Sequence, residues 1–168
     1  MNRRDEIVAA AVGILEAAGP EALTMRRLGH AVGMRAPSLY KHFASKDELL
    51  AALQEHALAD LGAALERSGG TVCGLARAYR TWALAHPALY DLAMRHPLAR
   101  HRLAPGVEEA AAAPVVSAAG GDVDRARAMW GAAHGLVDLE LAGRFPPGAD
   151  IDAAWAETIR LFSMGTAQ

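Results

Sequence analysis

Between Thr24 and Lys46 the chain runs TMRRLGHAVGMRAPSLYKHFASK, 23 residues with five cations (Arg26, Arg27, Arg35, Lys41, Lys46), two histidines and no Asp or Glu. Lys41 and Lys46 are the only lysines in the protein. Such a run could grip a polyanion, and its residue types suit DNA in particular. The Arg26 fork matches the O6 and N7 acceptors of guanine, while Ser38 and Lys41 are short or flexible enough to reach base edges in a major groove. Ala36 and Pro37 are small and let the backbone approach. Thr24, Tyr40, His42 and Lys46 suit phosphates at the groove edges, and Arg35 could serve a base or a phosphate.

Those side chains need a scaffold, and the local pattern supplies one. Asp5 to Ala18 reads as a first helix, with Ile7, Ala11, Ile14 and Ala18 at helical spacing and Gly19-Pro20 as its stop. Thr24 can cap a second helix whose inward face is Met25, Leu28 and Val32, and Gly33 can end it at positive φ. A short turn leads to a third helix with Pro37 in its first turn. Leu39 and Phe43, spaced i, i+4, would pin that helix to a core. Ser45 and Glu48 form a capping-box pattern for a fourth helix, running through Leu50, Leu53, Ala57, Leu61 and Leu65 to near Gly69-Gly70. Two short helices around a glycine turn, the second basic on its outer face, describe a helix-turn-helix.

Bulk composition agrees. The 168 residues are 52% hydrophobic and 21% charged, enough for a sizeable core, and aromatics are only 5%. Abundant alanine favours closely packed helices over strands. The formal net charge of −2 argues against general polyanion affinity and places the basic charge locally. No apolar run is long enough to span a membrane, and charges at the N-terminus stand where a signal peptide would have its apolar core, so a soluble cytoplasmic protein is expected.

Beyond the fourth helix the pattern stays helical. A fifth is expected from about Thr71 to Ala85, carrying Val72, Leu75, Tyr79 and Trp82 on one stripe. A sixth covers Ala88 to Arg95 between His86-Pro87 and His96-Pro97. Val107 to Ala119 is a weaker seventh because Pro114 lies inside it. The eighth starts at Asp122 or Val123, and the ninth runs from about Ile151 to Met164. The fold class is thus all-α with about nine helices: an N-terminal three-helix DNA-binding domain over residues 1–46 and a helical bundle over 47–168. The eighth helix is apolar on nearly every side, with Trp130, His134, Val137 and Leu141 on one stripe and Met129, Ala133, Leu136 and Glu140 on an adjacent one. A helix apolar on both sides is buried on both sides. A homodimer interface of the eighth and ninth helices is therefore expected, using Trp130, Val137, Leu141, Trp155, Ile159 and Phe162.

The stretch Gly19 to Leu50 resembles the N-terminal domain of the TetR family of bacterial transcription regulators, at Leu23-Thr24, Leu28, Val32-Gly33, Leu39-Tyr40-Lys41-His42-Phe43, Lys46 and Leu49-Leu50. His86-Pro87-Ala88-Leu89-Tyr90 and Trp130-Gly-Ala-Ala-His134-Gly135-Leu136 are similar to one branch of the family's ligand-binding domains. The resemblance implies a homodimeric repressor that binds near-palindromic double-stranded operator DNA and is released by a small-molecule effector. By position it puts Arg26, Ala36 and Lys41 where family members read bases, and Thr24, Ser38, Tyr40, His42 and Lys46 where they hold phosphates. Ala36 departs from members with a longer polar residue there. It could give only a thymine-methyl contact, which shifts base reading onto Arg26 and Lys41. An effector pocket is expected between the fifth and eighth helices, lined by Tyr79, Trp82, Met94, Met129, Trp130 and His134.

Competing readings have less behind them. A basic run can be a solvated face, and Met and aromatic stripes can simply pack. No His-x-x-x-His spacing and no cysteine partner for Cys73 support a metal site, and no cofactor is implied. No Ser-His-Asp set, phosphate loop or carboxylate pair suggests catalysis. The alternative of a different class is a helical small-molecule or metal binding protein whose basic segment serves another partner.

Overall fold

The computed structural model describes residues 2–164, apart from the side chain of Ala36, and among the described residues all regular structure is helical. The α-helices are α1 (Arg3–Ala18), α2 (Met25–Ala31), α3 (Ala36–Leu39), α4 (Lys46–Glu66), α5 (Val72–Ala85), α6 (Pro87–Tyr90), α7 (Val107–Ala118), α8 (Val123–Leu141) and α9 (Ile151–Ser163). A π turn, Asp91–Arg95, continues α6, and short 3-10 turns occupy Pro20–Ala22 and Arg100–Arg102. The chain gathers into two compact units: one takes everything up to Leu58 together with His86–Val107, the other takes Ala59–Ala85 and the chain from Glu108 onward. The packing therefore divides the chain inside α4, not at its start.

Local chemistry sets the ends of the first unit's helices. Helix α1 begins two residues before the expected Asp5, because the Asn2 side chain accepts from the Asp5 amide (3.0 Å) and the Asp5 carboxylate from the Asn2 amide (3.0 Å). That reciprocal pair satisfies two amides that a helix start leaves open. Its core joins Ile7, Val8, Ala11 and Ile14 of α1 to Leu23, Leu28 of α2, Leu39 of α3, Phe43, and Leu49 and Leu53 of α4. Sequence-distant polar side chains then tie the segment after α5 to this core. The Glu16 carboxylate accepts the amides of Ala88 (3.2 Å) and Leu89 (2.8 Å), capping α6 where His86 makes no side-chain cap. Gln54 is 4% exposed. Its amide nitrogen donates to the carbonyls of Leu92 and Pro97 (3.1 Å each), and its oxygen accepts from the Ala99 amide (3.0 Å). A buried carboxamide with both ends occupied avoids the cost, about 1–3 kcal/mol, of a stranded polar group.

In the second unit, Ala119, Ala126 and Met129 form a cluster, with Val72, Val115, Val116 and Phe162 against it. Helix α7 continues through Pro114. Gly62 of α4 lies so near α7 that a Cβ there would come within 3.1 Å of the Ala111 Cα, a close approach open to glycine. Arg80 of α5 links α8 and α9. It pairs with both Glu140 oxygens (2.9 and 2.8 Å) and with Asp152 (2.5 Å), and its guanidinium lies 5.6 Å from the Trp155 ring centroid. The two carboxylates raise the pKa of Arg80, so its charge is fixed at any working pH.

Candidate nucleic-acid interface

Helix α2 starts where the Thr24 hydroxyl accepts from the Arg27 amide at 3.2 Å. The cap uses the hydroxyl's oxygen and leaves its proton available to a phosphate. The helix stops at Gly33, whose φ is 66°. There the amide of Met34 bonds the Gly29 carbonyl (2.7 Å) and that of Gly33 bonds the His30 carbonyl (3.2 Å). These are the two bonds of a Schellman ending, and Met34 packs on the core as that motif favours. The chain thus leaves α2 at a fixed angle and enters α3 almost at once.

Helix α3 is a single turn, Ala36–Leu39, prolonged by hydrogen-bonded turns in which His42 and Phe43 amides donate to the Leu39 carbonyl (2.8 and 3.0 Å). Leu39 and Phe43 are fully buried. Their burial turns the remaining side chains outward: Pro37, Tyr40 and Lys41 are exposed, Ser38 and His42 half-buried. Thr24, Arg26, Arg27, Arg35 and Lys46 are exposed as well. The structure therefore collects nine of the ten expected contact residues on one short structural element and its flanks; the tenth, Ala36, starts α3, and its side chain is outside the described ones. None of Arg26, Arg27, Arg35, Lys41 and Lys46 forms an ion pair with another described residue. Five uncommitted cations with no acid among them present a positive surface to a polyanion.

Two arginines outside this stretch complete it. Arg3 donates to the Val32 carbonyl at the end of α2 (2.7 Å), and Arg4 donates to the His42 carbonyl just past α3 (2.6 Å). Arg4 also sits 4.2 Å from the Phe43 ring centroid and 3.3 Å from the Glu48 carboxylate. Helix α1 thereby holds both halves of the helix-turn-helix by their open carbonyls. Sequence reading missed this role, although two arginines in the first turn of a capped helix were a signal that something acidic or carbonyl-rich lay nearby.

At the start of α4 the Ser45 hydroxyl accepts from the Glu48 amide (3.1 Å), as the capping box requires, but the Glu48 carboxylate returns to the Ala44 amide (2.7 Å), one residue earlier than the pattern implies. That amide, with Arg4 and then Arg102 adding positive charge, holds the Glu48 carboxyl below its usual value.

Of the expected effector-site residues, Tyr79, Trp130 and His134 come together: the Tyr79 hydroxyl is 3.4 Å from His134 Nδ1, and the Trp130 and His134 ring centroids are 5.6 Å apart. Trp82 instead donates its indole N–H to Asp60 (2.7 Å), Met129 is in the α7–α8 cluster, and Met94 belongs to the first unit. Of the expected dimer residues, Trp130 is exposed and Leu141, Ile159 and Phe162 are half-buried. Val137 and Trp155 are buried within the chain itself. Periodicity marks them as apolar without saying which neighbour covers them.

Residues 7–53 match the description "Bacterial regulatory proteins, tetR family", and residues 72–162 match "Tetracyclin repressor-like, C-terminal domain". The chain belongs to the TetR family. An HTH-type transcriptional regulator of Mycobacterium tuberculosis is 31% identical over 176 residues, covering 96% of this chain and 80% of that protein. A solved structure from Rhodococcus sp. RHA1 is 30% identical with a TM-score of 0.76, covering 100% of this chain and 96% of that one. A multidrug binding protein solved with imidazole shares the fold, with a TM-score of 0.71 at 22% identity over 96% of this chain and 95% of that one. This TetR-family protein is a DNA-binding transcriptional regulator of the helix-turn-helix class. No described helix is long and apolar enough to cross a membrane.

The Glu48 contact has a pH signature. A carboxyl whose pKa is lowered by folding stabilises the fold above its unfolded pKa, about 4.3, and loses that contribution as pH falls through the folded value. Glu48→Gln should therefore be less stable than wild type at pH 7, with the gap closing below about pH 4. Urea denaturation across that range checks it, and a gap independent of pH would contradict the assignment.

Proposed function

We propose that the protein is a cytoplasmic repressor that acts by binding rather than catalysis: a homodimer holds a near-palindromic operator and leaves it when a small molecule binds. Residues 1–46 carry the DNA contacts, and residues 47–168 carry pairing and sensing. Arg26 and Lys41 read bases, with Ala36 and Pro37 allowing close approach. Thr24, Ser38, Tyr40, His42 and Lys46 hold phosphates, and Arg35 reaches either. The observation that carries this reading is the set of five exposed cations without ion-pair partners among the described residues, mounted on a capped helix, a Schellman turn and a pinned α3.

Pairing is supported by the outward side of α8. Gly131 is exposed and Gly135 half-buried, and a Cβ on either would meet nothing within the chain. Leu139 is 44% exposed, and Leu161 of α9 is 59% exposed. Small residues beside uncovered leucines suit close helix–helix approach. A dimer would set two α3 segments about 34–36 Å apart, one turn of B-DNA, and so demand a near-palindrome. Tyr79, Trp130 and His134 are the favoured effector contacts. An effector would act by binding one spacing of the pair better than another.

Two outcomes test the reading. Arg26→Ala combined with Lys41→Ala should abolish preference for a palindrome from the region upstream of the gene, by at least about 30-fold in Kd per half-site if each lost contact costs 1–3 kcal/mol. Fluorescence anisotropy at fixed salt reads this, and an unchanged preference would remove both residues from base reading. Leu139→Asp should leave helical content intact yet give a monomer by sedimentation at micromolar concentration; a dimer persisting at wild-type affinity would place pairing elsewhere.

A further inference from the structure

A second basic run lies outside the helix-turn-helix. From Leu92 to Val107 the chain has Arg95, Arg100, Arg102, His96 and His101 and no acid. All five are exposed, and the whole run belongs to the same compact unit as the helix-turn-helix. Its members differ in what they already hold. Arg95 and His96 share the Asp91 carboxylate at 3.3 and 3.2 Å. Arg102 forms no ion pair with a described residue; its Nε donates to His101 Nε2 at 3.1 Å.

The position of Arg102 matters more than its charge. It lines one open cleft with Arg4, Glu48, Ala51, Ala52 and Glu55, on the first turns of α4. Arg4, on the same cleft, reaches the carbonyl of His42 at the end of the recognition segment. The two carboxylates of the cleft are engaged: Glu48 by Ala44 and Arg4, and Glu55 by the Ala104 amide (3.0 Å). Arg102 is thus an exposed residue beside the first turns of α4, the helix that begins at Lys46. If α3 enters a groove, the flanking strands, with one phosphate charge per about 1.7 Å of axis, would run close to the elements beside α3.

We propose that Arg102 makes a contact with the DNA phosphate backbone from outside the helix-turn-helix, next to the first turn of α4, extending the footprint without reading sequence. The inference rests on the DNA-binding reading and adds to it a contact that neither the helix-turn-helix pattern nor its spacing contains.

A phosphate contact leaves its mark on salt dependence. Arg102→Gln should lower the magnitude of the slope of log K against log salt by about 0.9 per protomer, about 1.8 for a dimer on its operator, and weaken binding roughly three- to tenfold per lost contact at moderate salt. The loss should be equal for a duplex from upstream of the gene and a scrambled duplex of the same length. Arg102→Lys should restore the slope, and Arg77→Ala, an equal charge change in the second unit, should leave it at the wild-type value. Circular dichroism melts of each variant exclude unfolding as the cause; if Arg102→Gln melts early, the slope of Arg102→Ser replaces it in the comparison. A wild-type slope in the neutral variant, or a loss confined to the upstream duplex, overturns the inference while leaving the regulator reading intact. Failure of the wild-type protein to bind either duplex in low salt overturns both.

Discussion

Burial of Leu39 and Phe43 is the constraint on which the DNA-facing surface depends. Helix α3 is four residues long, far below the length at which a helix sustains itself in water. Burying two such side chains gives about 2–3 kcal/mol each, which outweighs the cost of a single isolated turn. Because they lie four residues apart and both point inward, the intervening Tyr40 and Lys41 must face out. The orientation of the recognition surface is thus a by-product of apolar packing against Ile7, Ala11, Leu28, Leu49 and Leu53.

Polar contacts refine what burial sets. The Arg3 and Arg4 bonds to Val32 and His42 hold the two ends of the helix-turn-helix against α1. The Arg4–Glu48 pair is half exposed, so solvent screens it and its worth lies in orienting the Arg4 fork more than in stability. The cations of Thr24–Lys46 stay uncommitted, while Asp5, Glu6, Glu16 and Glu48 are spent on amides and on Arg3 and Arg4. A surface built this way keeps its charge available to a polyanion.

What could be read from the sequence was short in range. Thr24 as a cap, Gly33 at positive φ and Ser45 as a second cap each depend on neighbours within a few residues, and each is found in place. The apolar anchors Leu39 and Phe43 were legible from spacing alone. Long-range partners were not: Arg3 and Arg4 reach carbonyls 29 and 38 residues away, and Gln54 bonds backbone 38 to 45 residues on. A hydrophobic stripe also carries no label for what covers it: the spacing that marks Val137 and Trp155 as apolar does not say that the chain buries them itself. The π turn after α6 had no signal beyond the flanking prolines, and the Glu16 and Gln54 bonds around it are equally long-range.

The proposed DNA contact of Thr24–Lys46 has a probe in the chain itself: Lys41 and Lys46 are the only lysines, and both are exposed. Acetylation of lysine amines, followed by mass spectrometry with and without bound duplex, reads that surface directly. Saturating DNA should protect both Lys41 and Lys46 strongly. Full reactivity of both lysines in a sample shown to be DNA-bound would contradict it.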